Sequence, residues 1–178
     1  MTAVETAQKV PVLSLPQTEL LTVNVNDMPL LLDGLTEGAH FKPLLLDPEI
    51  GIWSVLATFA PGIDLPIHLH TGSVHAYTLS GNWIYAEYPD QPQTAGSYLY
   101  EPASSVHTLA VPASNTEDSV ILFIISGANV SFTDDGQFHS VLDAVTVQHL
   151  VTQCAEKQGI EEPNYLVGGF AGFSKKAK

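Results

Sequence analysis

The sequence predicts an all-β fold, a sandwich or barrel built as one domain with a single C-terminal helix, and three observations carry that expectation. Short runs rich in β-branched and aromatic residues recur along most of the chain, separated by Gly, Pro, Asn and Asp at roughly 8–12-residue intervals. Helical spacing occurs convincingly only once, after Asp143. The chain has 178 residues, 45% of them hydrophobic, which suits one core on the usual scale of roughly 100–200 residues per domain.

Taken in order, the expected strands span 21–25, 41–46, 52–59, 67–70, 74–79, 83–87, 97–100, 106–111, 119–126 and 130–132. In the expected helix Ala144, Val147, Leu150, Val151 and Cys154 recur at spacings of three and four, and Gly159 stops it. The chain then divides into an N-terminal arm (1–18), a barrel (19–142) and a helix with tail (143–178), with no internal repeat. Residues 1–18 and 161–178 carry no strong pattern and are expected either as mobile tails or as arms lying across a neighbouring subunit.

The charge balance narrows the function. The formal net charge is −13, and the six basic residues are all lysines. Between residues 10 and 156 the one lysine is Lys42, against 16 acidic residues. Nucleic acid needs several cationic contacts to phosphates, and sites for sugar phosphates or dicarboxylates generally use Arg forks or several lysines. A neutral small molecule is therefore the expected substrate. The longest fully apolar stretch, 120–125, is only a strand's length, so no membrane association is expected. A single cysteine, Cys154, excludes an intramolecular disulfide and any multi-cysteine metal cluster, and the cytoplasm is the expected compartment. Cys154 lies on the helix's apolar stripe and is expected to pack there.

The stretch from Gly62 to Gly81 contains His68-Leu69-His70. Side chains at i and i+2 of a strand share a face, so both imidazoles can turn to one metal inside a barrel. A third ligand must come from elsewhere, and His107 stands 37 residues beyond His70, at the start of a predicted strand. His40 and His139 lack any such pattern and are expected on the surface or in loops.

A carboxylate follows from a register argument. If Ser80-Gly81-Asn82 makes a tight turn, Leu79 opposes Trp83, Tyr77 opposes Tyr85 and His75 opposes Glu87. Directly opposed residues share a face with Cβ atoms about 4.5–5.5 Å apart. Glu87 would then reach the site, with His75 beside the metal or facing the substrate as a base.

These two stretches resemble the paired motifs of the cupin superfamily. The first keeps Gly62, five residues, His68-x-His70 and the closing Gly81; the second keeps Gly96, five residues, Pro102 and His107. Three positions depart: His75 stands where the first motif usually has a Glu ligand, Ser104 where the second has Gly, and Val111 where it has Asn. The run from Thr71 to Tyr88 is similar to cupin dioxygenases typified by 2,4'-dihydroxyacetophenone dioxygenase, with acetylacetone-cleaving enzyme as a functional relative. That resemblance implies a jelly-roll barrel, pairing through sheet edges and the N-terminal arm into a homodimer or homotetramer, and non-haem Fe(II) held by His68, His70, Glu87 and His107, a set that would also accept zinc or nickel.

The activity implied is dioxygen-dependent cleavage of a C–C bond in a neutral hydroxyketone, giving a carboxylic acid and formate. His75 is the candidate base, with Tyr77 and Tyr85 beside it and Trp53, Trp83, Tyr98 and Tyr100 as further aromatic lining. A β-diketone substrate is the alternative within that chemistry. A non-catalytic metal-binding cupin, like the cupin half of zinc-dependent anti-sigma factors, is the alternative outside it.

Overall fold

A computed structural model describes residues 20–168 and 172–174. The N-terminal arm, whose role in pairing was an expectation, lies outside the described residues. Fourteen strands and one helix follow: β1 (Ala39–Asp47), β2 (Ile52–Phe59), β3 (His68–His70), β4 (Val74–Ser80), β5 (Asn82–Tyr85), β6 (Gln93–Thr94) and β7 (Tyr98–Glu101). After these come β8 (Val106–His107), β9 (Leu109–Ala110), β10 (Ser119–Ser126), β11 (Asn129–Phe132), β12 (Phe138–Leu142), α1 (Ala144–Gln158), β13 (Leu166–Val167) and β14 (Gly172–Phe173). The stretch 21–25, expected as a strand, is irregular and leads into a 3-10 turn, Val25–Asp27, capped by the Asn24 side chain.

The strands form a seven-stranded sheet, β14-β13-β1-β2-β10-β4-β7, a four-stranded sheet, β12-β11-β3-β8, and a three-stranded sheet, β6-β5-β9. Period-two alternation decides which side chains meet between them. Trp53, Val55 and Ala57 of β2, Val74 and Ala76 of β4, and Ile121, Phe123 and Ile125 of β10 turn inward, where they join Trp83, Tyr85 and Leu109 in one buried core. Helix α1 adds Ala144, Val147, Val151, Cys154 and Ala155 to the same core. Asp143 and Thr146 form a reciprocal capping box at its N-terminus, and Gly159, at φ 64°, ends it in the left-handed conformation that glycine adopts without strain.

One expectation of register fails here. β4 and β5 are not hydrogen-bonded to each other: β4 pairs with β10 and β7, while β5 pairs with β6 and β9. The cause is burial. A hairpin with Leu79 opposite Trp83 and Tyr77 opposite Tyr85 would put both aromatics on the face where Tyr77 and Leu79 stand 46% and 49% exposed. Instead the chain turns a corner between sheets, and Trp83 is fully buried. Gly81 makes the corner at φ 77°, where a Cβ would lie 2.6 Å from the Ser119 Cα. Ser119 Oγ fastens it, accepting from Asn82 N–H at 3.1 Å and donating to Asn82 O at 2.8 Å.

Candidate metal centre

β3 sits between β8 and β11, and its register sets His68 directly opposite His107 and His70 opposite Asn129. His68, His70 and His107 are each buried, with one ligand nitrogen apiece lying within 4.8 Å of the others. Their rings stand 4.9 to 5.0 Å apart, centre to centre. The structure thus brings the three sequence-selected histidines to one point.

It does not bring Glu87 there. Once the expected hairpin gives way to a corner, Glu87 falls past the end of β5 and is exposed. Its carboxylate accepts from Thr108 N–H at 3.0 Å. Burial acts to raise that carboxyl slightly, but the Thr108 hydrogen bonds outweigh it and hold it below its usual range.

The carboxylate at the histidines is Glu101, at the end of β7 and 3% exposed. Its Oε2 lies 2.8 Å from His70 Nε2 and 3.1 Å from His107 Nε2, while those two nitrogens are 2.9 Å apart. Burial alone would raise the Glu101 carboxyl, yet hydrogen bonds from His107, His70 and Tyr85 overcome it and hold it down at about 2. Glu101 lies within the second motif, six residues before His107. Strand parity was the missed signal: Tyr98 and Tyr100 of β7 point out, so Leu99 and Glu101 point in.

The donor set fits a divalent cation. Neighbouring ligands about 2.1 Å from a common ion lie about 3 Å apart, which matches the triangle of Glu101 Oε2, His70 Nε2 and His107 Nε2. His68 Nδ1 is 2.9 Å from Pro66 O, and a carbonyl can only accept, so Nδ1 carries the proton and Nε2 keeps its lone pair. Burial, reinforced by the neighbouring histidines, lowers His68 to about 4, leaving it neutral as a ligand must be. His70 Nδ1 is buried without a hydrogen-bond partner.

Tyr85 closes one side. Its hydroxyl donates to Glu101 Oε1, its ring stacks on His107 at 3.8 Å, and Trp83 meets it edge-on at 5.2 Å. Burial, then the Glu101 carboxylate, push the phenol far above its ordinary range. Trp83 is itself fixed by Nε1 donating to Thr78 Oγ1 at 2.9 Å. The other two proposed catalytic residues stand elsewhere. His75 and Tyr77 alternate outward on β4; His75 Nδ1 and the Tyr98 hydroxyl are 2.6 Å apart, and the His75 ring lies 5.3 Å from Tyr100. Both therefore sit on the outer face of the large sheet, across it from the core.

A cavity of about 80 Å³ begins at His68, His70, Tyr85 and Glu101. Its walls are apolar, chiefly Trp53, Val55, Phe123 and Ile125, and Leu142, Val147, Leu150, Leu35 and His40 also line it. Asn129 adds an amide whose Oδ1 is buried without a partner. Neither Asn129 nor the placement of His40 on this wall was evident from spacing. The His40 ring is held by Asp33 N–H, which donates to Nδ1 at 3.1 Å.

Comparison with known proteins places this arrangement in a family. A protein of unknown function with a cupin-like fold from Ralstonia eutropha JMP134 is 41% identical, covering 89% of this chain and 98% of its own, at a TM-score of 0.79. An RmlC-like cupin protein of the same organism is 27% identical, covering 81% of this chain and 92% of its own, at a TM-score of 0.74. The acetylacetone dioxygenase of Acinetobacter johnsonii shares the fold, with a TM-score of 0.62 over 78% of this chain and 94% of its own at 16% identity. No curated protein matches the sequence. Residues 18–130 match the ChrR cupin-like domain, and the chain is a member of that cupin family.

Proposed function

We propose that the protein is an Fe(II)-dependent dioxygenase that cleaves a C–C bond in a small neutral hydroxyketone such as 2,4'-dihydroxyacetophenone. The observation that carries this reading is a cluster of three buried histidines and one buried carboxylate, of which His68, His70 and Glu101 line an apolar cavity. His68, His70, His107 and Glu101 would hold the metal, and Fe(II) bound there supplies Lewis acidity and the capacity to react with dioxygen.

The residues themselves supply the rest. Three neutral imidazoles and one carboxylate leave one positive charge on a divalent ion, which favours a ligand that arrives neutral and gives up a proton. Among the described residues no lysine lines the cavity to hold a permanent anion; Lys42 is committed to Val25 O at 2.8 Å. The apolar walls exclude water and strengthen each interaction at the centre. Glu101, buried beside the histidines with the Tyr85 hydroxyl donating to its Oε1, would serve as an ionised ligand.

A specific observation supports one alternative. The family match is to a ChrR cupin-like domain, which favours a metal-binding regulatory role, and a cavity reaching the histidines is not required for it. Oxygen uptake separates the two. Protein loaded anaerobically with Fe(II) is mixed with 2,4'-dihydroxyacetophenone, then with acetylacetone, and dissolved oxygen is followed. Uptake matched by carboxylic acid supports the dioxygenase and chooses its substrate class; no uptake with either ketone at one iron per chain overturns it in favour of a binding role.

A further inference from the structure

We infer that Asn129 is a positioning residue for the metal centre: its carboxamide oxygen accepts the Nδ1–H of His70 and so holds that imidazole with Nε2 turned to the ion. This rests on the reading of His68, His70, His107 and Glu101 as one metal site.

Contacts at Nε2 decide where the His70 proton sits. That nitrogen lies 2.8 Å from Glu101 Oε2 and 2.9 Å from His107 Nε2, which makes it the ligand atom. An imidazole that offers the lone pair of one nitrogen to a metal carries its proton on the other. His70 Nδ1 is therefore a donor, and it is buried with no acceptor. His68 provides the contrast, since its Nδ1 lies 2.9 Å from Pro66 O. Metal-bound histidines almost always give their second N–H to a carbonyl, a carboxylate or water, and that acceptor sets the tautomer and the orientation of the ring.

Strand register supplies the acceptor. β11 lies beside β3 with Asn129 directly opposite His70. Opposed side chains share a face with Cβ atoms about 4.5–5.5 Å apart. Asn129 Oδ1 is itself buried without a donor, and both residues line the same cavity. An acceptor lacking a donor thus stands opposite a donor lacking an acceptor. The two are not hydrogen-bonded in this structure; rotation about the Asn129 side-chain torsions re-aims Oδ1 without moving β11.

The other flank of His70 offers one rival. There His70 N–H donates to Ser105 O at 3.0 Å and Ser104 N–H donates to His70 O at 2.8 Å, and the Ser105 hydroxyl is also buried without a partner. Two features favour Asn129. It shares the cavity wall with His70, which Ser105 does not. An amide oxygen can only accept, so nothing but a donor satisfies it, whereas a hydroxyl can turn its proton elsewhere.

The zinc-loaded full chain tests this, zinc being redox-silent and accepted by the same donors. Chelator competition is read for wild type, Asn129→Leu, Asn129→Asp and Ser105→Ala, each checked by circular dichroism, and the histidine ring N–H signals are followed by NMR on nitrogen-15-labelled protein. Asn129→Leu, close in size but without an acceptor, is expected to hold zinc about 10- to 100-fold more weakly, with the His70 Nδ1–H signal moved upfield and exchanging faster with water. Asn129→Asp restores an acceptor, and a stronger one, so the signal is expected to move downfield with zinc held within about 3-fold of wild type. A packing role alone would not move that signal in opposite directions. Ser105→Ala is expected to change neither readout. Unchanged affinity and an unmoved signal in the Asn129 variants, with wild type holding one zinc per chain, overturn the role of Asn129 and leave the metal site standing. The same losses in Ser105→Ala overturn it in favour of the serine. If Asn129→Leu does not fold, Asn129→Asp decides alone, and an unmoved signal there overturns the inference. Wild type that takes up no zinc removes the metal site and the inference with it.

Discussion

The Tyr85 hydroxyl donates to one oxygen of Glu101, while the other oxygen of that carboxylate faces His70 and His107. The same tyrosine stacks its ring on His107 at 3.8 Å. One side chain therefore touches both His107 and Glu101, and the second oxygen of that carboxylate is left to face the two imidazoles. Supporting contacts of this kind orient ligands and tune the ion they hold.

Tyr85→Phe keeps the ring and removes the donor, leaving Glu101 Oε1 buried without it. The variant is expected to lose about 1–3 kcal/mol in urea denaturation. Chelator competition is expected to show iron held roughly 10- to 100-fold more weakly. Unchanged affinity would mean that His70 and His107 fix Glu101 unaided.

Glu101→Gln and Glu87→Gln separate the two carboxylates. Losing the charge at Glu101 is expected to weaken iron binding by at least about 10-fold. The exposed Glu87 is expected to change it less than 2-fold, since its carboxylate is engaged by Thr108 N–H and not by the clustered histidine nitrogens. Retention curves in the reverse order would return the fourth position to Glu87.

His75→Ala is expected to leave iron content and turnover at wild-type values, because His75 lies with Tyr98 and Tyr100 on the outer face. A fall in turnover of 10-fold or more with iron retained would bring His75 back as a base.

Metal-free protein is expected to lose stability in acid. His68 takes up a proton near 6.5 when unfolded but only near 4 when folded, so between those values the unfolded chain binds more protons. The contribution, on the order of 3 kcal/mol, is complete above about pH 6.5 and declines as pH falls through 4. Glu101, held down at about 2, acts in the same direction over a lower window. Denaturation midpoints between pH 7 and 4 measure this, and a flat profile would place His68 in contact with solvent.

The fold was legible because alternation and turn residues set β1, β2, β4 and β10 almost where they stand, and Ala144, Val147, Val151 and Cys154 mark the buried stripe of α1. The histidines were legible for a geometric reason: His68 and His70 share a face at i and i+2, and β8 needs only to pair with β3 for His107 to join them. The carboxylate was not. Its assignment depended on whether Gly81 makes a hairpin or a corner, and local sequence does not distinguish them, since a glycine at positive φ serves both. The burial of Trp83 and Tyr85 decides it, and that is settled by β10 and β9, about 24 or more residues away in sequence. Asn129 enters the site through the pairing of β11 with β3, a contact across 59 residues with no motif to announce it.

The central claim is that His68, His70, His107 and Glu101 form one metal site, and iron stoichiometry tests it most directly. Protein reconstituted anaerobically with Fe(II), desalted and analysed for metal is predicted to hold one iron per 19.1 kDa chain. The His70→Ala, Glu101→Ala double variant, folded by circular dichroism, is predicted to hold less than a tenth of that. Full occupancy in the double variant, or none in the wild type, would contradict the account.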